Sequence, residues 1–298
     1  MNVLSITRGA TTAHVAPDLG FNCYSLVVDG FDVLHQAPDL FDGGSPTRSG
    51  TPVLFPWPNR IAGSSFDWDG QGYSLPRNEA ATGASLHGYA CHHPWRVLAT
   101  DSDRVTGEFL LSRDAPGAAW PADARLRVTY EVQPGSLIVT SEVHAPDHDL
   151  PFGLGFHPYL RVPGPFDEWR LQCDAAQAWP LQNMIPTGEI VAVPPRLDFR
   201  TARGIGSDHL DDVLTGLSTA DGMTARAVLA AARSVTISSD PAFRDYVLYT
   251  TPARDAVAIE PYTCPTDAVH LAQRGIDAGW RVLPAGQRQT FSWRIDVT

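Results

Sequence analysis

Two residues in this 298-residue chain have the types and surroundings that proton transfer requires. His157 is the polar member of the apolar and aromatic run 154–160, and an imidazole exchanges protons near neutral pH. Glu260 ends the apolar run 256–259, so its carboxylate is desolvated unless it is paired or functional. Together they could act as acid and base. The competing interpretations are a core histidine with satisfied hydrogen bonds and a buried salt bridge of Glu260, for example with Arg60.

A rigid loop earlier in the chain carries an amide and a guanidinium. Three prolines in the run TPVLFPWPNRI fix an extended path, and Asn59 and Arg60 follow the last of them at once. A forked cation beside an amide suits recognition of a polyol or a carboxylate. His87 is a further candidate, because Gly88 after it permits close backbone approach. The alternatives are an ordinary surface arginine and a structural histidine.

The order of these segments is more specific than any one of them. The runs FPWPNRI, LHGY, GFHPYL, AIEP with TCPTDA, and LPAGQRQTFSWRI follow one another over most of the chain. In this order the chain resembles the aldose 1-epimerase, or galactose mutarotase-like, family. The resemblance implies a large antiparallel β-sandwich and an enzyme that interconverts the α and β anomers of a free aldohexose.

The resemblance also assigns roles to individual residues. It implies that Glu260 removes a proton from the C1 hydroxyl while His157, protonated at the start and favoured in that form by neighbouring carboxylates, protonates the ring oxygen. The ring opens, the C1–C2 bond rotates, and the ring closes on the other face. The implied substrate-binding residues are Asn59, Arg60, His87 and Asp211. Asp212 competes with Asp211 for that position. A sugar is the implied partner, and neither a metal nor an organic cofactor is required.

Two positions depart from particular branches of the family. Galactose mutarotases carry a glutamine just before the Tyr-Thr of the strand ending at Thr250, whereas this chain has Val247 there. In the hexose-6-phosphate branch an arginine that helps to hold phosphate commonly occupies the position of Cys91. Val247 weakens the assignment of a galactose-specific enzyme, and Cys91 weakens the assignment of a phosphosugar substrate. The rival functions are a hexose-6-phosphate 1-epimerase, a non-catalytic sugar-binding protein on the same scaffold and, more remotely, a carbohydrate lyase or hydrolase domain.

The elements that must bring these residues together are strands. Period-2 alternation dominates, and it is clearest at 288–297, where Phe291 and Trp293 begin a buried face. The sequence further predicts strands at 3–7, 12–16, 22–28, 104–112, 124–132, 136–143, 168–173, 234–239, 246–250 and 257–260. Helical patterns are short, with a turn or two at 208–214 and 270–275. We therefore predict an all-β antiparallel sandwich with few short helices, forming a single domain over 1–298.

Composition limits the classes of protein to which the chain can belong. A net charge of −11 without a basic cluster argues against nucleic acid as a partner. The four cysteines are widely spaced, which favours reduced thiols in a cytoplasmic protein. No signal-peptide pattern or apolar run of bilayer length is present, so no membrane association is expected. Phosphate-loop, zinc-helix and serine-hydrolase motifs are also missing. We expect a monomer or homodimer, with Trp57 and Trp179 in the core rather than stacked on sugar.

Overall fold

Strands dominate the computed structural model, which describes residues 2–218 and 225–298. The α-helices of this part of the chain are short and have the bounds Leu111–Asp114 and Ala268–Gln273. Single 3-10 turns occur at Pro17–Leu19, Pro46–Arg48, Ala62–Ser64, Ala90–His92, Phe166–Glu168 and Pro195–Leu197. Every pair of neighbouring strands in the sheets is antiparallel, as the many glycine- and proline-containing turns require.

The larger of the two main sheets has nine strands within the described residues. It contains most of the long alternating segments predicted from the sequence. In spatial order its strands are Arg96–Thr100, Arg104–Leu110, Arg125–Gln133, Ser136–His144, Arg288–Val297, Ser234–Ser239, Ala225–Ala230, Arg170–Cys173 and Arg203–Gly204.

The second main sheet has eight strands in the same described part of the chain and positions the candidate site. Its spatial order is Val191–Ala192, Ala175–Trp179, Asp211–Leu217, Asp245–Thr250, Val257–Tyr262, Gly155–Phe156 and Val53–Leu54. The eighth strand, Tyr159–Leu160, also pairs with Val257–Tyr262. Because Gly155–Phe156 and Tyr159–Leu160 both pair with that strand, the residues between them lie beside it as well.

Smaller sheets surround these two. A four-stranded sheet is formed by Leu4–Arg8, Thr11–Ala16, Asn22–Val28 and Phe31–Asp32. Strand pairs are formed by Leu150–Phe152 with Arg281–Leu283, Leu181–Gln182 with Ile185–Pro186, Arg60–Ile61 with Ser85–Leu86, and Ser65–Trp68 with Gln71–Ser74. The pair made by Arg60–Ile61 is the one that holds the predicted arginine.

The main core lies between the two large sheets, and strand alternation decides which residues enter it. Tyr246 and Leu248 point into this core, together with Phe156, whose ring centroid is 5.1 Å from that of Trp293 on the nine-stranded sheet. Val247, between them in sequence, belongs to a separate apolar cluster on the opposite face. A two-residue period therefore assigns one face of the eight-stranded sheet to the core and the other to the site.

The all-β sandwich prediction is confirmed. The predicted strand 104–112 ends at Leu110, where the helix Leu111–Asp114 begins, and the prediction for a second segment is wrong. The segment 208–214 was predicted to form a helical turn, but its second half belongs to the strand Asp211–Leu217. Hydrogen bonding to strands on both sides, Ala175–Trp179 and Asp245–Thr250, overrides the poor strand propensity of two consecutive aspartates. Among the described residues, no helix combines the length and apolar composition that crossing a bilayer requires.

Candidate active site

His157 and Glu260 face each other across neighbouring strands of the eight-stranded sheet. The register on either side of them is set by two opposed pairs, Gly155 with Tyr262 and Tyr159 with Ala258. The residues midway between those pairs, His157 and Glu260, are therefore opposite each other and on the same face. The distance from His157 Nε2 to Glu260 Oε1 is 3.3 Å, and both side chains are buried. The sheet thus forms the imidazole–carboxylate pair that the sequence predicted.

The pair lies in a hollow of about 170 Å³. The sheet contributes His157, Tyr159, Asp211, Tyr249 and Glu260 to its lining. Loops and short strands contribute Thr47, Arg48, Asn59, Arg60, Leu86 and His87. All six residues singled out as catalytic or substrate-binding therefore meet in one hollow. Across residues 2–218 and 225–298, no group of three or more histidine, cysteine, aspartate or glutamate side chains is arranged to hold a metal ion.

Arg60 is held at the hollow by a two-point ion pair. Its Nη2 lies 2.6 Å from Glu79 Oε1 and its Nε lies 2.9 Å from Glu79 Oε2. Its Nη1 donates to Asn59 Oδ1 at 3.0 Å, and the Thr82 hydroxyl donates to the same Glu79 carboxylate. The proposed alternative for Glu260, a salt bridge with Arg60, is thus wrong: the carboxylate that Arg60 pairs with is Glu79. A bidentate pair fixes the plane of the guanidinium.

The backbone of Asn59 and His87 is locked in an uncommon conformation. Both have left-handed φ, 55° and 68°, and His87 N donates to Asn59 O at 2.8 Å. Gly88 follows with φ 72°, and a Cβ there would lie 2.3 Å from Phe55 O, so only glycine fits this approach. The His87 ring consequently lies edge-on to that of His157, with the centroids 5.6 Å apart.

Burial perturbs the proton affinities of the central pair in opposite directions. Desolvation raises the pKa of Glu260 well above its usual range, against the opposing effect of its hydrogen bond from Tyr262. Desolvation lowers the pKa of His157 to about 3. Burial thus opposes the protonated form of His157 with which the expected mechanism begins. Burial therefore favours the uncharged forms of both groups, a neutral imidazole and a protonated carboxyl that together hold one exchangeable proton.

Two tyrosine hydroxyls fix the orientation of the pair. Tyr262 Oη donates to Glu260 Oε2 at 2.5 Å. Tyr159 Oη donates its single proton to Thr47 O at 2.9 Å, so it can only accept from His157 Nε2, which lies 3.3 Å away. His157 Nε2 therefore carries a hydrogen. The rings of His157 and Tyr159 also stack, with centroids 4.3 Å apart and planes 15° from parallel.

The structure separates the two competing aspartates. Asp211 lines the hollow with His157 and Glu260. Asp212, on the opposite face of the same strand, forms an ion pair with Arg196. Desolvation raises the pKa of Asp211, and the opposing attraction of Arg60 limits the rise. Of the two, Asp211 is therefore in position to contact a ligand of the hollow.

The remaining predicted positions are buried in packing contacts. Trp57 and Trp179 are 1% and 2% exposed, and Trp57 stacks on Trp120, with ring centroids 5.0 Å apart. Val247 and Cys91 are each 1% exposed. Val247 lies directly opposite Glu260, so the position at which galactose mutarotases carry glutamine presents only methyl groups to the carboxylate. This apolar neighbour contributes to the desolvation of Glu260.

Comparison with known proteins identifies the family of the chain. The model of the family described as aldose 1-epimerase matches residues 2–295. The chain belongs to the aldose 1-epimerase family. Among curated proteins, this family member is 28% identical to the Escherichia coli K12 protein YihR over 231 residues, which cover 76% of this chain and 72% of YihR. It is also 28% identical to YphB of the same strain over 204 residues, 67% of this chain and 65% of YphB.

Solved structures share the fold of this aldose 1-epimerase family member. A galactose mutarotase-like protein from Clostridium acetobutylicum superposes with a TM-score of 0.88 at 21% identity, covering 99% of this chain and 95% of that one. The GalM/aldose epimerase homologue from C. elegans superposes with a TM-score of 0.83 at 20% identity, covering 100% and 98%. The galactose mutarotase-like supersandwich expected from the sequence is thereby confirmed.

Three residues that hydrogen-bond to His157, Glu260 or Arg60 were not predicted. Tyr159 and Tyr262 each lie two positions after a predicted catalytic residue, so strand alternation could have placed them on the same face as His157 and Glu260. Glu79 had no such signal, because it lies in an irregular loop whose contact with Arg60 exists only in the folded chain. The alternation of the strands could thus have predicted Tyr159 and Tyr262, whereas no sequence pattern could have predicted Glu79 as the partner of Arg60.

Proposed function

We propose that this family member is an aldose 1-epimerase that interconverts the anomers of a free aldohexose by acid/base chemistry. The observation that carries the proposal is the 3.3 Å separation of His157 Nε2 and Glu260 Oε1 in a polar hollow. Anomer exchange needs proton transfers at two oxygens bonded to the same carbon, the C1 hydroxyl and the ring oxygen. A proton donor and a proton acceptor side by side match that requirement.

In the proposed reaction Glu260 accepts the proton of the C1 hydroxyl while His157 Nε2 gives a proton to the ring oxygen. The bond between C1 and the ring oxygen breaks, and an open-chain aldehyde forms. Rotation about C1–C2 presents the other carbonyl face, and the same two groups return the protons in reverse roles during closure. Arg60 and His87 would stabilise charge that develops on the sugar oxygens, and Asn59 and Asp211 would bind hydroxyls.

The chemistry requires the single proton of the pair to be on His157 when the ring opens. Burial alone favours it on Glu260, so binding of the sugar has to reverse that preference. Sugar hydroxyls that donate to the carboxylate, together with the nearby positive charge of Arg60, stabilise the ionised form of Glu260.

A neutral sugar fits the charges of the hollow better than a phosphorylated one. Its two guanidiniums, Arg48 and Arg60, are each paired with a carboxylate, Asp39 and Glu79 respectively. A hexose 6-phosphate would meet guanidiniums whose charge is already balanced, and it would lie near the carboxylate of Asp211. This charge balance favours a free aldohexose over the phosphosugar alternative.

Polarimetry on fresh α-glucose and α-galactose tests the proposal. The protein should accelerate the decay of optical rotation over the spontaneous rate, and His157→Ala and Glu260→Gln should each reduce kcat at least about 100-fold. His148→Ala and Glu189→Gln are matched controls, because both side chains are exposed and lie outside the hollow. Both controls should keep full activity.

The same assay separates the rival functions. A non-catalytic sugar-binding protein would bind sugar saturably and leave the rate of anomer exchange unchanged. A hexose-6-phosphate enzyme would accelerate glucose 6-phosphate far more than glucose. If His157→Ala and Glu260→Gln remain folded by circular dichroism and keep wild-type activity, the assignment of the pair is wrong.

A further inference from the structure

Beside the row that contains His157 and Glu260, the eight-stranded sheet carries a second row of side chains on the same face. The members of this second row are opposed in register on neighbouring strands: Tyr159, Ala258, Tyr249 and Asp211. Each lies two residues along its strand from the first row, so the rows are about 7 Å apart. Because Ala258 ends at its Cβ, the rings of Tyr159 and Tyr249 meet over it, with centroids 6.3 Å apart and planes at 90°.

The two tyrosines of the second row differ in what their hydroxyls do. Tyr159 is 4% exposed, and its hydroxyl donates to Thr47 O and faces His157 Nε2. Tyr249 is partly exposed in the lining of the hollow, and its hydroxyl has no hydrogen-bond partner among the residues that the structure describes. The Tyr249 ring lies edge-on to that of His157, with centroids 6.0 Å apart. The hydroxyl of Tyr249 is therefore available to a ligand.

The surroundings of Tyr249 keep its hydroxyl protonated. Burial raises the pKa of Tyr249, and the carboxylates of Asp211 and Glu260 add to the rise. Tyr249 therefore offers an uncharged O–H donor to the hollow. A site that hydrogen-bonds a substrate hydroxyl discriminates against an analogue that lacks it, because the protein group is then left unpaired.

The place of Tyr249 in the hollow indicates which part of a sugar it would meet. Under the proposed function C1 reacts at the row of His157 and Glu260, and Tyr249 lies one row away, about 7 Å along the strands. In the other direction along the strand of Glu260 stands Tyr262, which is fully buried and outside the lining of the hollow. The sugar ring must therefore extend from C1 towards Tyr249. In a pyranose the ring carbon opposite C1 is C4.

We propose that Tyr249 is a specificity-determining residue whose hydroxyl binds the sugar hydroxyl at C4, so that it helps to distinguish aldohexoses that differ at that carbon, such as glucose and galactose. This inference rests on the proposed epimerase function. Asp211 stands directly opposite Tyr249 on the neighbouring strand. One sugar hydroxyl can accept a hydrogen bond from Tyr249 and donate another to Asp211, because a hydroxyl is both donor and acceptor.

The test measures anomer exchange by NMR with wild type and Tyr249→Phe. The substrates are glucose, galactose and their common 4-deoxy derivative, which lacks the C4 hydroxyl, together with the 2-deoxy derivative of whichever hexose the wild type uses better. Tyr249→Phe should lower kcat/KM about tenfold for the better hexose and for its 2-deoxy derivative. It should change kcat/KM of the 4-deoxy sugar less than about twofold, because the partner of the tyrosine hydroxyl is already absent.

Tyr73→Phe is the matched control and should leave all of these values unchanged. Tyr73 is also partly exposed, and it lies on the strand Gln71–Ser74, outside the lining of the hollow. Circular dichroism of both variants checks that they are folded.

The outcomes separate the role of Tyr249 from the proposed function. Equal losses for the better hexose and the 4-deoxy sugar overturn the C4 contact and leave the epimerase function intact. So does wild-type activity of Tyr249→Phe on every sugar, or a loss that disappears with the 2-deoxy sugar instead. If the wild type accelerates none of these sugars, the proposed function fails, and the role of Tyr249, which depends on it, fails too.

Discussion

Val247 stands directly opposite Glu260 on the neighbouring strand, with its side chain on the same face of the sheet. The valine is 1% exposed and offers no hydrogen-bond donor to the carboxylate. Part of the proton affinity of Glu260 therefore comes from its neighbour, and changing that neighbour should change the pH dependence of the reaction.

Val247→Gln should move the basic limb of the pH–kcat/KM profile to lower pH. An amide N–H beside Glu260 would stabilise the carboxylate and so lower its pKa. Burying the amide should also reduce the free energy of unfolding by about 1–2 kcal/mol. Val247→Leu is the control that changes packing without adding a donor. If the basic limbs of Val247→Gln and Val247→Leu lie at the same pH, residue 247 does not influence the pKa of Glu260.

The acid limb of the wild-type profile should lie far below the ordinary histidine pKa. Loss of activity at low pH requires a second proton on the pair, and burial lowers the pKa of His157 to about 3. We therefore expect kcat/KM at pH 5 to remain within about twofold of its value at pH 7. Polarimetry corrected for the spontaneous rate at each pH checks this. An acid limb near pH 6.5 would show that His157 titrates as an exposed imidazole.

Glu79→Gln should lower kcat/KM about tenfold by releasing Arg60 from its two-point ion pair. Glu79→Asp should restore part of the activity, since it keeps the charge. Glu108→Gln is the matched control, because Glu108 binds a cluster of arginines on the nine-stranded sheet, away from the hollow. Each glutamine variant should lose about 1–3 kcal/mol in the free energy of unfolding. Equal losses of activity in both would mean that Glu79 serves stability alone.

Asp245→Asn should stabilise the protein above pH 6. Asp245 is fully buried and accepts a hydrogen bond from Trp179 Nε1 at 2.9 Å, and burial raises its pKa from 3.8 to about 6. Because the folded state holds this proton more tightly than the unfolded chain, wild-type stability falls as pH rises from about 4 to 6. The variant should gain about 2 kcal/mol at pH 8 and little at pH 4, measured by urea unfolding. A gain that does not depend on pH would contradict this assignment.

Strand alternation predicted much of the fold, and the reason is visible in individual residues. Phe291, Trp293 and Ile295 are buried while the residues between them are more exposed, as the pattern of the last strand predicts. The short strands that complete the eight-stranded sheet, such as Gly155–Phe156, were not predicted, because two residues cannot display a period. Their positions depend on pairing with Val257–Tyr262, which is information that only the folded chain contains.

The sequence predicted which residues form the candidate site. It did not predict how the fold shifts their pKa values. His157 and Glu260 stood out because polar groups in apolar runs need an explanation. The lowered pKa of His157 could not be predicted, because desolvation depends on side chains from distant segments that cover it. The partner of Arg60 was hidden for the same reason, since Glu79 approaches it only through the loop between two short strand pairs.

The shared register of His157 and Glu260 also ties the chemistry of the molecule to its folding. A one-residue insertion in the strand Val257–Tyr262 would turn Glu260 towards the sandwich interior and bring Ile259 or Pro261 into the hollow. A carboxylate among the aromatic rings between the sheets would prevent stable folding. Insertions in this strand should therefore prevent folding rather than give a folded but inactive enzyme. The loops around the hollow can vary in length without this effect.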